Sequence, residues 1–97
     1  MAAESEAKLV ARQWTALLRM DSYGFLVSRY LNRSFHREAL GPSGTLYDVE
    51  VQAFWDSVGD PGGNLRVMVG VDEGGRGPRS LATDDFVLAP DGTFVGE

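Results

Sequence analysis

The chain has 97 residues, no cysteine and a net charge of −5, which excludes disulfide staples, thiolate nucleophiles and thiolate metal sites and leaves room for one compact core. Hydrophobic residues at 43% and charged residues at 24% are ordinary globular proportions and exclude a disordered chain. The charge is unevenly divided: residues 1–40 hold six basic and four acidic side chains, and residues 41–97 hold three basic and ten acidic. The acidic second half would repel a phosphate backbone, which argues against nucleic acid as a partner.

The opening MAAESEAK carries acids where a secretory leader carries bases, and no apolar run approaches the roughly 18 residues of a membrane span, so a cytoplasmic protein with no membrane partner is expected. Across residues 5–20, Ala7, Val10, Trp14, Leu17 and Leu18 recur every three or four positions, with Lys8, Arg12 and Arg19 on the opposite side. This spacing predicts an amphipathic helix. Asp21 or Ser22 then caps a new start, and Tyr23, Leu26, Val27, Tyr30 and Leu31 predict a second helix reaching about Phe35. Phe25, Val27 and Leu31 also alternate, which keeps a strand reading of the same stretch open. LGPSG at 40–44 ends the helical half, since its glycines and proline cannot continue a helix.

The period then changes from helix to strand. In TLYDVEVQAFWD the residues Tyr47, Val49, Val51, Ala53 and Trp55 face one way, and Asp48, Glu50, Gln52, Phe54 and Asp56 the other. NLRVMVGVD repeats the alternation, with Leu65, Val67, Val69 and Val71 against Arg66, Met68, Gly70 and Asp72, and SVGDPGGN between the two segments predicts an antiparallel hairpin. Pro90, Asp91 and Gly92 split a last short hairpin, Phe86 to Ala89 against Thr93 to Gly96. The expected fold is a single α+β domain over residues 1–97, with two N-terminal helices packed on one face of a four-stranded antiparallel meander. Trp14 and Trp55 belong in the seam between the layers.

GVDEGGRGPRS at 70–80 resembles a phosphate-cradling loop in its glycine density alone. The third glycine of a G-x-G-x-x-G pattern is replaced by Ser80, and no lysine follows Lys8 to complete a P-loop. Gly74 to Gly77 are therefore read as a connection between strands, with Arg76 and Arg79 at its tip, and no cofactor is expected.

His36 is the single histidine and lies near the expected end of the second helix, where its charge suits the helix C-terminus better than catalysis. One histidine without cysteine does not make a zinc site, and the acids lack calcium-loop spacing, so no metal is expected. Asp84 and Asp85, like Asp72 and Glu73, read as loop or strand-end charges. Asp48, Glu50 and Asp72 share a sheet face but have no evident apolar pocket to set a catalytic pair apart.

Two surfaces invite contact. Arg29, Arg33 and Arg37, spaced by four, would form a basic ridge beside the stripe of the second helix. On the outward sheet face, Phe54, Met68 and Gly70 sit among Asp48, Glu50 and Arg66, which is unusual for a sheet face left to water. These nine residues are the expected partner-binding set of a small non-catalytic interaction module, a homodimer in its simplest form because isologous contacts need one patch. Two helices followed by a curved antiparallel sheet also resemble, in layout, the conical folds of the nuclear transport factor 2 and cystatin type. That resemblance implies the alternative of a ligand-binding or enzymatic pocket between helices and sheet. A third expectation is an antagonist of a basic protein, since small acidic domains suit such partners by steered association.

Overall fold

Both helices start at a serine. In the computed structural model, which describes residues 5–72 and 82–97, the Ser5 hydroxyl accepts from the Lys8 N–H at 3.1 Å and opens α1 (Glu6–Leu18). The Ser22 hydroxyl accepts from the Phe25 N–H at 3.1 Å and opens α2 (Tyr23–Tyr30). These bonds satisfy amide groups that the first helical turn leaves without a partner.

The second helix is shorter than its periodicity predicts. Leu31 is extended, and Asn32 takes a left-handed φ of 54°, a conformation that asparagine tolerates better than most residues. The Asn32 N–H donates to the Ala53 carbonyl at 2.9 Å and so delivers the chain to the sheet. Residues expected to finish the helix and enter a loop instead form β1 (Ser34–Leu40), paired with β2 (Leu46–Trp55) from Ser34 opposite Gln52 to Leu40 opposite Leu46. The turn between them is a three-residue hairpin loop, with Gly44 N–H donating to Gly41 O at 2.9 Å and Gly41 N–H to Thr45 O at 2.8 Å. Gly44 supplies the φ of 88° that this loop requires.

β3 (Leu65–Asp72) pairs antiparallel with β2, and β4 (Ala82–Leu88) with β3, giving the order β1-β2-β3-β4. The expected architecture holds: two helices pack on one face of a four-stranded antiparallel meander. Its membership differs from expectation at both ends. β1 replaces the end of the second helix, while residues 93–96 contribute only an isolated bridge, Leu88 to Phe94, rather than a strand. β4 begins before Phe86 because Asp84 has partners on the inner side: its carboxylate accepts from the Thr15 hydroxyl at 2.6 Å, and Lys8 Nζ lies 3.8 Å away.

The core sits where the alternation of β2 and β3 places it. Val49, Val51, Leu65, Val67, Val69 and Val71 are wholly buried, under Val10, Ala11 and Leu18 of α1 and Leu26 and Tyr30 of α2. Each such side chain contributes about 1.5 to 3 kcal/mol of gross burial. Trp14 and Trp55 both pack against this cluster as partly buried rims. α1 lies over β3 and β4 and α2 over β2, so the inner side of β1 is left only partly covered, with Phe35 and Ala39 half-buried and Arg37 exposed.

Candidate functional site

With the helices on one side, the even-numbered side chains of β1, β2 and β3 form the other face. Strand register sorts them into cross-strand rows. Leu40 and Leu46 make the end row, Glu38, Asp48 and Asp72 the next, then His36, Glu50, Gly70 and Thr83, then Ser34, Gln52, Met68 and Asp85, and finally Phe54, Arg66 and Val87. Asp48, Glu50, Phe54, Arg66, Met68 and Gly70 are thus brought together on one surface. Phe54 and Met68 are diagonal neighbours across β2 and β3 and are partly exposed, close enough for their side chains to form one apolar spot.

Arg66 is held rather than free. Its Nε donates to Asp56 at 2.9 Å and its Nη1 to Asp85, so one guanidinium ties the end of β2 to β4. The bonds to these two carboxylates raise its affinity for a proton against the opposing effect of desolvation, which is the largest single influence. Towards the other end of the face Glu38, Asp48 and Asp72 stand side by side in one row. These three acids give the face an acidic margin. Among the described residues no three His, Asp or Glu side chains are arranged to hold a metal ion.

His36 is not at a helix end. It lies on the outer side of β1, where its Nε2 is 3.3 Å from the carboxylate of its cross-strand neighbour Glu50. Asp84 and Asp85 are not loop charges either, since both stand in β4, one bonded to Thr15 and the other to Arg66. His36 and Glu38, with Ser34, Leu40 and Leu46, are face residues that the sequence reading missed. The available signal was the extended SFHREAL before a glycine-bearing turn and the alternating LYDVE after it, a hairpin pattern hidden by the helical spacing upstream.

The helical basic ridge does not exist. Arg29 is on α2, Arg33 follows the left-handed turn at Asn32, and Arg37 is on β1. Two of the three nevertheless converge on one ring: the guanidinium carbons of Arg29 and Arg37 lie 4.8 and 4.9 Å from the Phe35 centroid, within the range of a cation–π contact.

The inward side chains of β2 and β3 pack with those of both helices in one cluster. A hollow lined by Arg19, Tyr23, Leu88, Pro90 and Phe94 opens where α1 ends and α2 begins, beside the Arg19 to Glu97 ion pair. The glycine-dense stretch at 73–81, with Arg76 and Arg79, lies outside the described residues. No helix among the described residues is long and apolar enough to cross a membrane. No family model, curated protein or solved structure matches the chain.

Proposed function

We propose that the chain is a non-catalytic protein-interaction module that docks its partner on the outer face of the sheet. One observation carries the reading: the helices occupy a single face, while the other presents partly exposed Phe54 and Met68 on the same surface as an acidic row. An apolar centre with a charged margin is the usual build of a docking surface. The margin of Glu38, Asp48 and Asp72 favours a partner with a basic rim, which would be steered onto the face.

Self-association through the same spot is the second reading, drawn from the compactness of the Phe54 and Met68 pair. The two respond to salt with opposite sign. A basic partner is lost as ionic strength rises from about 0.05 to about 0.5 M, whereas pairing of two acidic faces strengthens over that range. The test is capture of partners on the immobilised chain, beside sedimentation equilibrium of the chain alone, for wild type, Phe54→Glu and Met68→Glu. Both variants are expected to keep the fold and lose the partner. If they retain the same bound protein, and the wild type is a strict monomer at high concentration, the face is not a docking surface.

A further inference from the structure

The hydrogen-bond parity of the sheet reveals what β1 leaves open. The Gly41 N–H donates to the Thr45 carbonyl at 2.8 Å, in the same register as the β1–β2 ladder. Bonded and non-bonded pairs alternate along an antiparallel ladder, so Phe35, Arg37 and Ala39 turn their backbone groups toward β2. The N–H and C=O groups of Ser34, His36, Glu38 and Leu40 therefore point away from the sheet, and among the described residues no strand pairs with them.

The opposite edge is closed in part. Thr83 O accepts from the Lys8 ammonium, and Val87 O accepts from Val95 N–H at 2.9 Å. β1 has neither a proline nor a break in its register with β2, two devices that commonly blunt an edge. Its charges indicate which strand would fit. Arg37 is exposed on the helix side with Arg29 nearby, both over Phe35. Arg19 and Arg66 are bonded to carboxylates, but Arg29 and Arg37 have no carboxylate partner among the described residues.

We propose that β1 is an acceptor edge for an extended acidic segment of a partner protein, which adds to the sheet as a fifth strand. Its backbone bonds Ser34, His36, Glu38 and Leu40, a carboxylate faces Arg37 and Arg29, and apolar side chains lie beside Phe35 and Ala39. A second copy of β1 fits less well. The register that pairs all four open residues is centred on Arg37 and sets the two Arg37 side chains directly opposite each other, where like charges destabilise. β1 shares the His36 and Glu38 side chains with the outer face, but its open backbone groups do not depend on the reading of that face.

The probe is a capped peptide, Thr-Val-Thr-Glu-Thr-Val-Thr, whose central glutamate falls opposite Arg37 when the peptide lies antiparallel to β1. Its control carries lysine in place of the glutamate. By fluorescence anisotropy the glutamate peptide is expected to bind about fivefold more tightly than the lysine peptide, and Arg37→Glu to invert that order. Amide hydrogen exchange at His36 and Glu38 is expected to slow when the peptide binds, and Phe54→Glu to change none of this. Equal binding of the two peptides, binding of neither, unchanged exchange at His36 and Glu38, or dimerisation through β1 without peptide would each overturn the proposal.

Discussion

Gly41 is a position where the absence of a side chain is demanded by packing. A Cβ there would stand 2.4 Å from Glu6 Oε1 and 2.7 Å from the Tyr47 ring carbon Cε2. The Glu6 carboxylate is the movable party, but it accepts from Ser43 N–H at 3.0 Å, Ser43 Oγ at 2.6 Å and the Tyr47 hydroxyl at 2.8 Å, and swinging away breaks the tie between α1 and the β1–β2 turn. Tyr47 is 3% exposed and has little space to retreat. Overpacking of this kind costs about 1 to 3 kcal/mol, so Gly41→Ala is expected to lower Tm by about 5 to 20 °C. Urea unfolding at an unchanged m-value is the assay. Gly44→Ala is the comparison, since that site has open space and only its positive φ to lose, at about 1 kcal/mol. A Gly41→Ala protein as stable as wild type, or less damaged than Gly44→Ala, would refute the packing argument.

Further outcomes follow from the polar seam between the layers. Thr15→Val keeps the shape of a residue 4% exposed but removes the hydroxyl bonded to Asp84, and a loss of about 1 to 2 kcal/mol in urea unfolding is expected; an unchanged midpoint would contradict it. The Glu6 carboxyl is held below its ordinary value of 4.5 chiefly by the Ser43 hydroxyl and then by Tyr47, and Glu97 is held below the same value by Arg19. The unfolded chain therefore binds more protons than the folded one in acid, so this stability is present above that ordinary value and is lost as pH falls through the lower folded values. Glu6→Gln should flatten the decline of urea midpoints between about pH 6 and about pH 3, and an unaltered slope would exclude the Glu6 contribution.

The legible parts of this fold were those where a single period governs a long stretch. Tyr47 to Trp55 and Leu65 to Val71 alternate without interruption, and the pleat carries that alternation directly into burial. The helical template failed at Leu31, because spacing alone does not register a left-handed Asn32 or the bond from its N–H to Ala53, a partner 21 positions away. A helical reading of β1 takes His36 and Glu38 off the outer face and aligns the basic side chains into a ridge. Only the strand register could place Glu38 beside Asp48 and Asp72. The last hairpin failed for the opposite reason: its turn chemistry is correct, with Asp91 accepting from Thr93 N–H at 3.0 Å, but the segment after it makes only an isolated bridge to Leu88.

The docking role of the outer face is tested most directly by placing a photo-crosslinking phenylalanine analogue at Met68 and, separately, at Gln13 on the exposed side of α1. Illumination in cells that make the protein should yield a discrete adduct from position 68, reduced by Phe54→Glu, and none from position 13. Equal labelling from both positions, or an adduct from 68 indifferent to Phe54→Glu, would contradict the assignment.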